Sequence, residues 1–251
     1  MLNTATIIIQ ARMESTRLPG KVLAPIAGRP MLSYQIERLR RCRTVDRIVV
    51  ATTTLPADNA IVALCDSEGV ECTRGSKEDV LSRYAHAART FNASTVVRVT
   101  SDCPLIEPTL VEDAIAMFLS GDSYDYLSNM IEPTWPYGMA VEVMSRKALD
   151  EAHAEARDLA EREHVTPFLY WRPKRYRLKS LTMQPDLSEH RWTVDTREDL
   201  ELVAKILTTL YPRKPDFDMN DVLSLLQDNP SWVRINRHVQ QKSVVPTSKG
   251  I

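Results

Sequence analysis

Three cations, Arg12, Arg17 and Lys21, fall within ten residues of the segment Gln10-Ala11-Arg12-Met13-Glu14-Ser15-Thr16-Arg17-Leu18-Pro19-Gly20-Lys21. The segment directly follows the apolar run Thr6-Ile7-Ile8-Ile9. Gly20 permits close backbone approach and Pro19 stiffens the turn. A polyphosphate needs this setting, with cations matched to its oxygens and backbone N–H groups between them. A solvated basic loop is the commoner fate of such a cluster, but the place after a first strand and the Gly20-Lys21 pair favour phosphate. The segment is not a Walker A loop, because Val22 stands where Ser or Thr follows the lysine. Nor is it the G-x-G-x-x-G of dinucleotide folds.

Two carboxylates stand at comparable junctions. Asp102, in Thr100-Ser101-Asp102-Cys103-Pro104, follows the run Thr95-Val96-Val97-Arg98-Val99. It offers a hard oxygen of the kind Mg²⁺ prefers, although a structural turn cap explains it as well. Asp195 precedes Thr196, where a carboxylate also serves a helix dipole. Arg74-Gly75-Ser76 closes a short strand, with Ser76 expected as a helix N-cap. Thr52 and Thr53 close the second strand. Glu163-His164 is expected to begin a helical stretch towards Trp171. Gly138 and Glu142 flank a loop-to-strand passage, and Arg191 beside Trp192 could clamp a carboxylate or simply pack in the core.

These residues need elements to hold them. Ile48-Val49-Val50-Ala51 joins the first run and the Thr95–Val99 run as a third β-branched stretch, suited to a parallel sheet covered on both faces. Ile61, Leu64 and Cys65 share a helical face that Gly69 terminates. Ser76 with Asp79, Thr109 with Glu112, Thr196 with Asp199, and Asp218 with Asp221 are expected capping boxes. Alternating strands and helices predict a mostly parallel, doubly wound α/β sheet, in which ligands bind beyond the carboxyl ends of the strands. Residues 128–138 read as a Pro- and aromatic-rich ordered loop, Val141–Met144 as a short strand and Arg175–Leu181 as a half-wet strand. One domain is expected over 1–236, with a sub-lobe at about 128–185 and a polar, mobile tail at 237–251.

Composition narrows the class. The chain has 251 residues, 32 basic against 33 acidic, with 43% hydrophobic and 26% charged. Near-neutral balance argues against a dedicated nucleic-acid binder. Cysteines at 42, 65, 72 and 103 form no CxxC pair and no zinc spacing. No stretch approaches the roughly 18 apolar residues of a membrane span. A reducing cytoplasm and no membrane partner are expected.

The run Ile8-Ile9-Gln10-Ala11-Arg12-Met13-x-Ser15-Thr16-Arg17-Leu18-Pro19-Gly20-Lys21-Val22-Leu23 resembles the opening of cytidylyltransferases that activate acidic sugars, the CMP-sialic acid and CMP-KDO synthetases. Within them it looks most like the spore-coat polysaccharide biosynthesis protein F-like branch. The likeness continues in order through Arg74-Gly75-Ser76, Asp102-Cys103-Pro104, Glu163-His164-Val165-Thr166-Pro167 and Val194-Asp195-Thr196-Arg197-Glu198-Asp199-Leu200. It implies a nucleotide-diphospho-sugar transferase fold, GT-A-like, and transfer of CMP from CTP to an acidic sugar. It implies Arg12, Lys21, Asp102 and Asp195 as catalytic, with Asp102 and Asp195 holding Mg²⁺. Nucleotide contacts would come from Ala11, Arg12, Ser15, Arg17, Gly20, Lys21, Thr52, Arg74 and Ser76. Acceptor contacts would come from Gly138, Glu142, Glu163, His164 and Arg191. Tyr137 departs from a charged residue that the branch tends to carry before that glycine. Relatives are commonly dimeric, so a homodimer is expected. The competing enzyme class is nucleotidyl transfer to a phosphorylated sugar or alditol. A regulatory nucleotide-binding module would be expected to lack Lys21, Asp102 or Asp195, and a glycosyltransferase would be expected to carry Asp-x-Asp where Ser101-Asp102-Cys103 stands.

Overall fold

Ile7, Ile8 and Ile9 are all fully buried, because successive side chains of a strand point to opposite faces and both faces here are covered. The computed structural model describes residues 5–241 and 244–247. The chain begins with β1 (Ala5–Gln10), the two-residue strands β2 (Pro25–Ile26) and β3 (Arg29–Pro30), and α1 (Met31–Leu39). It continues through β4 (Val45–Thr53), α2 (Asn59–Glu68), β5 (Glu71–Gly75), α3 (Val80–Thr90), β6 (Thr95–Thr100) and α4 (Pro108–Leu119). Next come β7 (Tyr126–Ser128), β8 (Glu142–Ser145), α5 (Arg146–Glu155), α6 (Leu159–His164), α7 (Pro167–Tyr170) and β9 (Leu178–Ser180). The last helices are α8 (Arg197–Leu210) and α9 (Met219–Asp228).

Seven strands form one sheet in the order β5-β4-β1-β6-β8-β7-β9. Strands β5, β4, β1 and β6 are parallel neighbours, while β8 runs antiparallel to both β6 and β7. The expected α/β architecture, a mostly parallel sheet between helices, is what the chain adopts. Residues 128–185 supply the interior strand β8, between β6 and β7, and the edge strand β9 of this same sheet. Ile7 and Ile9 pack with residues of α1, α4 and α8, and Ile8 packs with Leu81, Tyr84 and Leu149 of α3 and α5 on the other side. Each such isoleucine contributes about 1.5–3 kcal/mol by leaving water. Gln10 lies in register with Ala51 of β4 and Thr100 of β6. The loop at 11–21 and the turn at 101–104 therefore leave the sheet at the same edge.

Capping boxes form as expected at Thr196 with Asp199 and at Asp218 with Asp221. Two others do not. Ser76 Oγ accepts from Asp79 N at 3.1 Å, but Asp79 is the cap of α3 and its Oδ1 accepts from Ser82 N at 2.9 Å. At α4 the helix starts at Pro108, whose fixed φ suits a first helical position, so Thr109 lies inside it and Glu112 binds Arg43 N instead. Glu163-His164 ends α6 rather than opening a helix. Val165 turns at φ 72°, and Pro167, with no amide hydrogen, begins α7 afresh. The strand expected over 175–181 is confined to β9. Part of the tail, at 242–243 and 248–251, lies outside the described residues, whereas Gln241 accepts from Arg191 and Thr247 bonds to Asp158. Among the described residues no helix is long and apolar enough to cross a membrane.

Candidate active site

A cavity of about 390 Å³ opens beyond the carboxyl ends of β1 and β6. Ala11, Arg12, Ser15, Arg17 and Lys21 line it from the loop after β1. That loop is folded by its own backbone: Gly20 N donates to Met13 O at 2.8 Å, with Gly20 at φ 74°. Ser15 Oγ accepts from Leu18 N at 3.3 Å. From outside, Asp58 Oδ1 accepts from Met13 N at 2.7 Å, and its other oxygen is bound by Thr53. Asp58 is fully buried and carries no motif; only the structure identifies it as the loop's anchor. Gly20 shapes the loop but does not line the cavity.

Asp102 and Asp195, 93 positions apart in the chain, meet on one atom. Lys21 Nζ donates to Asp102 Oδ2 at 3.3 Å, Asp195 Oδ1 at 2.9 Å and Val194 O at 2.6 Å. Burial works against the ammonium, but the two carboxylates outweigh it and raise its pKa above the ordinary lysine value. The other Asp195 oxygen receives Arg17 at 2.8 Å and Arg191 at 3.0 Å. Burial would raise the Asp195 pKa, yet Lys21 and then Arg17 and Arg191 hold it below the usual aspartate range. Two carboxylates and a carbonyl around one cation form a hard-oxygen set that fits a divalent ion such as Mg²⁺. Among the described residues no three His, Cys, Asp or Glu side chains gather as a metal cage. Phosphate and water oxygens would therefore have to complete the coordination.

Arg191 faces away from the acceptor role expected for it. Its Nε and Nη2 fork onto Asp199 at 2.9 Å each, while Nη2 also reaches Asp195. Asp199, fully buried, accepts from the Asp195 and Thr196 amides as well. A charge chain from Lys21 through Asp195 and Arg191 to Asp199 thus orients the second carboxylate.

The acceptor side differs from expectation too. Glu142 is buried and binds Arg98, Tyr126 Oη at 2.6 Å and Thr166 Oγ1 at 2.6 Å, so it is a structural counter-ion. Arg98 itself lines the cavity and donates to Gln10 Oε1 at 3.0 Å. Gly138, Glu163 and His164 line the cavity as expected, and burial lowers the His164 pKa, keeping it neutral near pH 7. Gly138 sits at φ 105° with a Cβ position 2.5 Å from Thr193 N and the Trp192 carbonyl carbon, a space only hydrogen fits. Trp192 is buried core.

Besides Gly20, three more expected nucleotide residues stand off the cavity. Thr52 is fully buried within β4. The Arg74 guanidinium clamps Thr53 O, Leu55 O and Asn59 Oδ1 at 2.8–2.9 Å. Ser76 is exposed in the turn before α3. From that helix Val80 and Arg83, which no motif singles out, reach the cavity instead. Arg83 had one sequence signal, a cation on the otherwise apolar face of Val80, Leu81 and Tyr84.

Residues 6–223 match the family described as cytidylyltransferase. The chain is similar to the spore coat polysaccharide biosynthesis protein SpsF of Bacillus subtilis, at 33% identity over 237 residues covering 91% of this chain and 96% of that protein. Over 113 residues, 44% of each protein, it is 43% identical to the 3-deoxy-manno-octulosonate cytidylyltransferase of Geobacter sulfurreducens. A solved cytidylyltransferase from Leptospira borgpetersenii shares the fold at a TM-score of 0.87 and 30% identity, covering 96% of this chain and 99% of that one. The chain therefore belongs to the cytidylyltransferase family and is a nucleotidyltransferase.

Proposed function

We propose that the protein transfers CMP from CTP to an acidic sugar, with Mg²⁺ as cofactor and pyrophosphate as the second product. The convergence of Lys21, Asp102 and Asp195 at the mouth of the β1 loop carries this reading. Arg12, Arg17, Lys21 and the backbone of Ala11–Ser15 would hold the triphosphate. Its base would rest towards Val80 and Arg83, whose side chain packs against Gly75. A divalent ion between Asp102 and Asp195 would neutralise charge on the α-phosphate and lower the pKa of the attacking hydroxyl. The acceptor hydroxyl, giving up its proton to water, then forms its bond to the α-phosphorus as the bond to pyrophosphate breaks. Positioning and electrostatics supply the rate, since no side chain needs to be covalently modified.

Arg98 and neutral His164, with Glu163 and Gly138, bound the region left for the acceptor. The likeness to a 3-deoxy-manno-octulosonate cytidylyltransferase supports a carboxylate-bearing sugar there. Assembly as a homodimer, which rests on family resemblance, and residence in a reducing cytoplasm, which rests on the free cysteines, belong to the same reading. The test is pyrophosphate release with each of the four NTPs against acidic sugars and sugar phosphates. The expected result is turnover with CTP and an acidic sugar only. Turnover confined to sugar phosphates would replace the acceptor class.

A further inference from the structure

All three N–H donors of the Lys21 ammonium are taken: Asp102 Oδ2, Asp195 Oδ1 and Val194 O receive them. The second oxygen of Asp195 is held by Arg17 and Arg191, and the second oxygen of Asp102 by Thr100 Oγ1 at 2.6 Å. Every carboxylate oxygen at the cation position is therefore already matched. Lys21 is the group that touches both carboxylates, and its side chain is only 11% exposed. We propose that in the nucleotide-free protein Lys21 itself fills the cation position between Asp102 and Asp195, so that a divalent ion enters only with a triphosphate that draws the ammonium away. This rests on the nucleotide-transfer reading above.

The electrostatics favour exchange over co-occupancy. A divalent ion arriving while Lys21 remains would meet a positive charge at contact distance, plus Arg17 and Arg191 on the same carboxylate. A triphosphate reverses that balance, because its oxygens offer Lys21 and Arg17 new partners on the loop that carries both. Lysine suits the exchange: its ammonium is a point charge on a flexible four-carbon stem, whereas Arg191 is fixed by its two-pronged contact with Asp199. Nucleotide and metal then bind with positive, reciprocal coupling.

Mn²⁺ is a direct probe, since electron paramagnetic resonance counts the free ion. Nucleotide-free wild type, Lys21→Met, Lys21→Gln and Lys21→Met/Asp102→Asn would be titrated with Mn²⁺. The expected result is that Lys21→Met binds one ion at least roughly tenfold more tightly than wild type, and that adding Asp102→Asn removes the gain. Lys21→Gln keeps a hydrogen-bonding head and supplies the same comparison should Lys21→Met fail to fold. Wild-type affinity equal to that of the neutral variants would overturn the exchange. Heat protection of wild type by CTP is measured alongside. Protection with Mn²⁺ uptake indifferent to residue 21 sinks the exchange and leaves the nucleotide reading standing. No protection by CTP sinks the nucleotide reading, while the Mn²⁺ titrations still decide who holds the cation position.

Discussion

The turn that carries Asp102 runs straight out of β6 and is held by its own neighbours, with Thr100 Oγ1 on one Asp102 oxygen and Cys103 Sγ beside it. The segment that carries Asp195 belongs to no strand and is held from several directions, by Arg17, Lys21 and Arg191. The Asp102 side chain is 25% exposed and that of Asp195 10%. The two regions touch through backbone: Val194 N donates to Asp102 O at 2.8 Å and Thr193 Oγ1 to the same oxygen at 3.2 Å. One carboxylate is thus placed by a local turn at a strand end, and the other by a chain of charges that only the fold assembles. Local placement tolerates change nearby; the charge chain transmits it.

The largest effect should come from removing either carboxylate charge. Asp102→Asn and Asp195→Asn are each expected to lower kcat on the order of a thousandfold while the protein stays folded, and the double variant should be scarcely worse. Steady-state kinetics with CTP and the acceptor decide it. An Asp195→Asn enzyme of near-normal rate would mean that Asp195 serves α8 alone and would break the equivalence of the two.

Lys21→Ala should lower turnover by about a hundredfold or more. Lys21 lies on a loop, but its ammonium is enclosed by two carboxylates. Its loss should therefore also destabilise the protein, by about 2–3 kcal/mol, because two partly buried charges are left facing each other. Thermal melts with and without Mg²⁺ test this, with partial recovery expected from the metal. Gly138→Ala presses on the segment that leads to Asp195. A methyl 2.5 Å from the Trp192–Thr193 peptide should cost about 1–3 kcal/mol in urea unfolding and shift the segment that presents Asp195.

Arg191→Lys is a finer probe of the charge chain, since lysine cannot reproduce the fork onto Asp199. An effect of about tenfold on kcat, with KM for CTP little changed, is expected of a residue that orients Asp195 without touching substrate. The smallest effect is on acid stability. Burial opposes the charge on Asp195 and Asp199, but Lys21 and Arg17 for the first, and Arg191 and Asn236 for the second, hold both below the ordinary 3.8. Their stabilisation is complete above that value and is lost as pH falls through the lowered folded pKa, because the unfolded chain then binds more protons. Asp199→Asn should flatten the loss of stability below about pH 4, read by denaturant midpoints across pH.

The periodic parts of the chain were legible one residue at a time. The β-branched runs that became β1, β4 and β6, the stop at Gly69 and the boxes at Thr196 and Asp218 rest on local chemistry, so neighbours in sequence suffice. The β1 loop was legible for the same reason: its cations, glycine and proline lie within ten residues. Single polar residues inside periodic segments were not. Asp58 looks like an ordinary surface residue until packing buries it against the loop, and Arg83 is only a cation on an apolar helix face until the fold sets it beside the cavity. Glu142 and Arg191 show the converse, since a charged residue near a motif looks available for ligand until its partners are known. Arg98 takes up the first and Asp199 the second, across 44 and 8 positions. The residue types and the spacing in the chain therefore determined the parallel core and the loop with its three cations, while the family resemblance picked out Asp102 and Asp195, each of which reads by itself as a structural cap. Tertiary structure alone decided that both carboxylates close on Lys21, because three-dimensional convergence at the edge of a sheet leaves no trace in local sequence.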